Sequence, residues 1–157
     1  MAEATPTAMQ QPRSVVWILL LVGRILLGAV FVYAAYTKLR IPWMLFAMSI
    51  NSYGILPGWV LNVLARALPW LELLLGLLLM VGWKLRWVAA CAAALLLVFF
   101  SAMVRAQSHG LAINCGCFGI GEQISAKTLV RDGFLVALAM GLALGAFVHH
   151  RPRRSAV

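Results

Sequence analysis

The run Val15-Val-Trp-Ile-Leu-Leu-Leu-Val-Gly-Arg-Ile-Leu-Leu-Gly-Ala-Val-Phe-Val-Tyr-Ala-Ala-Tyr36 decides which solvent this chain folds in. Its only charged residue is Arg24, and it reaches the roughly 20 residues needed to span hydrocarbon. A secretory signal peptide is the rival reading, but its apolar core runs to only about 7–15 residues. The run is therefore expected to be a retained transmembrane helix. Composition agrees: 64% of residues are hydrophobic and 11% charged, where a soluble domain carries about 45–50% and about 25%. Such a chain has little water-facing surface to offer, and its solvent must be largely lipid. The net charge of +9 does not mark a nucleic-acid binder. The basic residues stand singly between apolar runs or at the two ends, with no stripe along one face to track phosphates. Placed there, they suit lipid headgroups and membrane insertion.

Three further spans are expected outward from this helix: Pro69–Trp83, Trp87–Val104 and Leu129–His149. The first of these is short unless it begins near Leu64. Between the first and second spans, Thr37–Leu68 is apolar but broken by Lys38, Arg40, Pro42, Asn51, Gly54, Pro57 and Arg66, so it cannot be one spanning helix. Pro42 suits a first helical turn, and Trp43, Phe46, Ala47 and Ile50 then fall on one face. Pro57 opens a second short helix through Trp59, Val63 and Ala67. Both are read as interfacial helices, with a covered loop as the alternative. The fold class is all-α, an integral membrane four-helix bundle with interfacial helices between the first and second spans. It occupies residues 15–149, between a disordered tail (1–14) and a basic tail (150–157). In the last span Gly133, Ala137, Gly141 and Gly145 recur every fourth residue, a pattern that lets helix backbones approach in lipid.

With four spans, both termini share a side with the turn Lys84-Leu85-Arg86. The basic residues divide equally between the two sides, and those close to short loops favour that side as the inner one. Both termini are thus expected in the cytoplasm.

The polar connection Arg105–Arg131 then lies outside and carries Ile-Asn-Cys-Gly-Cys-Phe-Gly at 113–119. Cys115 and Cys117 are too close in sequence to staple a fold. A disulfide between them would close a small strained ring, which makes such a bond more oxidising, and Gly116 supplies the backbone freedom the ring needs. The pair suits thiol–disulfide exchange with a partner's dithiol. Two other readings stay open: a soft-metal site with His109 as third ligand, and inert packing. Cys91, among alanines in the third span, reads as a packed residue.

Charges inside hydrocarbon need partners. Arg24, near the middle of the first helix, and Glu72, in the second, are expected to approach one another across antiparallel neighbours. The pair would serve either as a structural ion pair or in proton or quinone handling. Lys38 and Tyr53 are candidate members of an outer-face polar cluster, with snorkelling to the interface as the more economical account.

Four stretches carry a resemblance to a known family. They are Arg24–Leu39, Tyr53 with Leu56-Pro57, Leu68-Pro69-Trp70-Leu71-Glu72-Leu73-Leu74-Leu75-Gly76, and Cys115-Gly116-Cys117-Phe118-Gly119. Together they resemble the MauE branch of the DoxX-like membrane proteins. The resemblance implies a four-helix, multi-pass protein of the bacterial inner membrane, and the charge-based orientation puts the cysteines on its periplasmic side. It also implies a role beside a periplasmic thioredoxin-like partner in maturing disulfide-rich proteins, such as the small subunit of methylamine dehydrogenase. The arrangement is also similar to quinone-coupled disulfide formers such as DsbB and the vitamin K epoxide reductases. This chain lacks their Cys-x-x-Cys and has a single pair, which weighs against direct quinone coupling. A quinone is kept as a candidate cofactor, and no other is expected. The alternative is a non-catalytic membrane scaffold or soft-metal-handling subunit.

Overall fold

The computed structural model describes residues 12–54, 56–110 and 125–149. They form five helices: α1 (Pro12–Leu39), α2 (Trp43–Asn51), α3 (Gly58–Val81), α4 (Leu85–Ser108) and α5 (Ala126–His149). Four of them, all but α2, are long and apolar enough to cross a membrane. At about 1.5 Å per residue, the 24 residues of α3 run roughly 36 Å, more than the hydrocarbon thickness. No strand occurs among the described residues. The chain is a multi-pass helical membrane protein.

The spans expected from sequence are present, with one difference in how they join. Pro42 precedes α2 as its N-cap, and three of the four residues of the predicted face turn inward: Phe46 is buried against Ala65 and Leu68, with Ala47 and Ile50 packed beside it, whereas Trp43 at the start of the helix is exposed. Met44, Leu45 and Met48 on the opposite face are exposed, as suits a helix lying in the interface. The second interfacial helix is not separate. The turns beginning after Pro57 run straight on through Pro69 into the span, so both belong to α3. Proline removes one helical hydrogen bond, but packed membrane helices tolerate that loss. Arg66, read as punctuation, lies over the Trp43 ring at 4.3 Å and ties α3 to α2.

Packing sorts the helices into two close pairs, α1 with α3 and α4 with α5. The α1–α3 contact is made by glycine on both sides. A Cβ on Gly28 would stand 2.9 Å from the carbonyl oxygen of Gly76, and a Cβ on Gly76 would stand 2.9 Å from that of Gly28. Backbone meets backbone here, the arrangement that drives association where no hydrophobic effect acts between helices. The expected small-residue seam of α5 is different. A Cβ at Gly141 would meet nothing within 4 Å, one at Gly133 would make ordinary contact with Phe100, and one at Gly145 would meet only the tip of Leu20. Alanine does the close packing among α3, α4 and α5 instead, with Ala89, Ala92, Ala93, Ala139 and Ala143 in one core around Leu27, Leu79 and Leu142.

Candidate functional site

At the end of the bundle where α1 finishes, the charged side chains of three helices converge. Lys38 lies in the last turn of α1, and Glu72 is one turn beyond Pro69 in α3. Lys38 Nζ donates to both carboxylate oxygens of Glu72, at 2.6 and 2.7 Å. Both residues are buried, with 4% and 5% of their surfaces exposed. The ammonium also faces the rings of Phe46 and Phe99, 5.7 and 5.8 Å from their centroids, so aromatic π-faces surround the part of the cation that the carboxylate leaves open. A bare charge in hydrocarbon costs several kcal/mol, by a contested amount of about 3 upward. A bidentate ion pair meets that cost with its own counter-charge.

A cavity of about 40 Å³ adjoins the pair, lined by Lys38, Glu72, Phe99, Met103 and, from α5, Asp132. Asp132 is as buried as Glu72 and accepts a hydrogen bond from Arg131 Nε at 2.9 Å. One turn earlier, Ser125 and Thr128 cap α5 reciprocally. The Ser125 backbone N–H donates to Thr128 Oγ1 at 2.8 Å, and the Thr128 N–H donates to Ser125 Oγ at 3.4 Å. This is the geometry of a capping box, and it fixes where α5 begins after the cysteine-bearing connection. Asp132 and Thr128 were not singled out from the sequence. The signal available was scarcity: the chain has only four acidic residues, and Glu72 and Asp132 are the two that fall inside apolar helices.

The sequence expectations for the charged residues need two corrections. Glu72 pairs with Lys38, not with Arg24. Arg24 lies against Gly82 at the far end of α3, where a Cβ would collide with its guanidinium. Gly82 has φ +81° and its N–H closes the helix onto the Leu78 carbonyl. The arginine therefore sits by the C-terminus of α3, where the helix dipole favours a cation. Its Nε is buried without a hydrogen-bond partner. Lys38, for its part, does not snorkel outward but turns into the bundle.

Tyr53, in the turn after α2, does not line the small cavity. It borders a larger cleft of about 640 Å³ between α2, α3 and α4, on the other side of Phe46 and Phe99. Cys91 is exposed and forms part of that cleft's wall rather than packing among alanines. Cys115 and Cys117 lie outside the described residues. The helix ends they connect, Ser108 and Ala126, flank Met103 and Asp132, at the Lys38–Glu72 end of the bundle. Among the described residues, no three histidine, cysteine or acidic side chains gather as metal ligands.

Fold and site together define a polytopic membrane protein with a buried lysine–glutamate ion pair and a cysteine-bearing connection joining helix ends at the same pole. The chain belongs to the MauE family: the family described as "Methylamine utilisation protein MauE" matches residues 16–145. It is similar to the methylamine utilization protein MauE of Paracoccus denitrificans, 35% identical over 125 residues that cover 78% of this chain and 67% of that relative. It is also similar to the protein of the same name from Methylophilus methylotrophus, 40% identical over 73 residues covering 43% of this chain and 36% of the relative. No solved structure matches the chain.

Proposed function

We propose that this protein is a thiol–disulfide redox component of the bacterial inner membrane. Both termini are cytoplasmic, and Cys115 and Cys117 exchange electrons with a periplasmic thioredoxin-like partner. The exchange serves the maturation of disulfide-rich proteins and, as the names of its relatives suggest, methylamine utilisation. In the forward sense a thiolate of the partner attacks one sulfur of the Cys115–Cys117 disulfide and forms a mixed disulfide. The partner's second thiolate then attacks that bond. The partner leaves oxidised, and Cys115 and Cys117 are left as the dithiol, having taken up two electrons and two protons; the reverse sequence reduces the partner. Attack of this kind proceeds through a mixed disulfide whichever way electrons flow.

The observation that supports this reading is the joining of the Cys-Gly-Cys stretch to α4 and α5 at the pole where Lys38, Glu72 and Asp132 are buried. The connection that carries the two cysteines thus begins and ends beside a buried cluster of charged side chains. The test is capture. Cys117→Ser and Cys115→Ser variants, expressed with a periplasmic extract of the host, are expected to accumulate a mixed disulfide with a thioredoxin-like protein, which reductant releases. If neither variant captures one while the wild-type pair cycles between oxidised and reduced forms, the exchange reading is wrong. A membrane-impermeant maleimide applied to intact cells should label the reduced pair. Protection of both thiols would place them in the cytoplasm.

A further inference from the structure

The small cavity beside the ion pair lies on the axis of the bundle. Helix α3 packs on α1 and α4, and α5 packs on the same two helices, while α3 and α5 do not touch among the described residues. The four long helices therefore stand at the corners of a square, with α3 and α5 on one diagonal. Glu72 on α3 and Asp132 on α5 line the cavity from those two corners, and Lys38 enters it from α1. Phe99, Phe100 and Met103 close it from α4. The two close helix pairs, α1 with α3 and α4 with α5, thus send buried charge into one shared space.

The charge around this space is balanced. Lys38 answers Glu72, Arg131 answers Asp132, and the α4 side chains that line the cavity are apolar. A metal cation or an anion would upset that balance, so the electrostatics select a neutral occupant. The volume selects a small one. About 40 Å³ is room for roughly three waters at about 10–15 Å³ each, far below the roughly 300 Å³ at which small-molecule sites begin. A wholly apolar cavity stays dry, whereas water is retained where it finds polar partners. Carboxylates supply them: each can accept about four hydrogen bonds, and Lys38 takes two of those at Glu72.

We propose that this cavity is a water-binding chamber, whose resident water donates to Glu72 and Asp132 and joins the two helix pairs at the pole where α5 begins. The water replaces part of the hydration that two buried carboxylates give up, which packing against leucine and phenylalanine cannot do. It also holds the start of α5 from within, where the Ser125–Thr128 cap holds it from outside. The aqueous phase is near: Lys38 lies in the last turn of α1, and Asp132 lies within about two turns of the start of α5. This inference goes beyond the proposed exchange chemistry and stands without it.

Met103 makes the test direct. It is 1% exposed, which shields it from radicals formed in bulk solvent, yet it lines the chamber. Millisecond X-ray pulses split resident water where it sits, and the hydroxyl radical so formed oxidises a neighbouring sulfur. In nanodiscs, Met103 is expected to gain oxygen in proportion to dose, while the fully buried Leu27 and Leu79 of the apolar core stay unlabelled. Ala34→Val adds carbon to the chamber wall and should abolish the labelling of Met103. Asp132→Leu removes an acceptor and should abolish it too, whereas Asp132→Asn keeps an acceptor and should preserve it. As a folding control, each variant should keep the wild-type melting temperature in detergent to within a few degrees. The wild-type protein alone can overturn the inference, by leaving Met103 unlabelled at every dose. Labelling of Ala34→Val or Asp132→Leu at the wild-type rate overturns it equally. None of these results involves the dithiol, so the exchange reading stands or falls separately.

Discussion

Helix α3 presents two faces that solve life in lipid in opposite ways. The face toward α1 is sealed: Gly76 touches Gly28 backbone to backbone, Glu72 is held by Lys38, and Leu79 is fully buried. On the face toward α4, Leu75 still packs against the α4 alanines, but along Leu64 and Leu71 the helix stands back from its neighbour, leaving the cleft. Yet α3 and α4 are joined by only three residues, Gly82–Lys84, while α1 and α3 are separated by the whole of α2. Nearness in sequence therefore does not decide which membrane helices pack. Small residues and paired charges decide it, because leucine facing leucine gains little over leucine facing lipid.

The comparison breaks most severely at the ion pair. Glu72→Leu leaves the Lys38 ammonium buried without its carboxylate and is expected to cost about 3–5 kcal/mol. Thermal unfolding in detergent and the amount of protein reaching the membrane both measure it. The double variant Lys38→Met/Glu72→Leu should recover most of the loss, and failure to recover would show that the pair does more than balance charge. Next comes the glycine contact. Gly76→Leu forces α1 and α3 apart and should cost about 1–3 kcal/mol, the usual range for overpacking. Gly141→Ala, whose Cβ meets open space, should stay within about 0.5 kcal/mol; equal losses at both sites would erase the distinction drawn here. The smallest effect is expected on the open face. Leu71→Ala removes a half-exposed side chain and should also stay within about 0.5 kcal/mol by the same unfolding assay.

Much of this architecture could be read from the chain, and the parts that could not have physical causes. The spans are legible because length and apolarity are summed over some 20 residues, so a few misjudged positions do not matter. The inward face of α2 was legible for a related reason, since Phe46, Ala47 and Ile50 share one helical stripe. Where α3 begins was not, because Pro69 looks like a first-turn proline, and only the packing of neighbouring helices reveals that the chain continues through it. Pairing was the least legible feature. Arg24 and Glu72 are the obvious partners if both sit at mid-depth, but depth is set by where each helix starts, and α1 and α3 are offset so that Arg24 meets Gly82. Lys38 resembles every lysine that ends a span. Only the tertiary contacts turn it inward. Asp132 was hidden beside Arg131, at the border of a polar connection.

The lysine–glutamate bond has a consequence for biosynthesis. Its two members are 34 residues apart, with the cation emerging from the ribosome first. When α3 reaches the translocon, α1 is already in the membrane and offers the acid a counter-ion on entry. An α1 without Lys38 would send the carboxylate into hydrocarbon alone, at the step where insertion is decided.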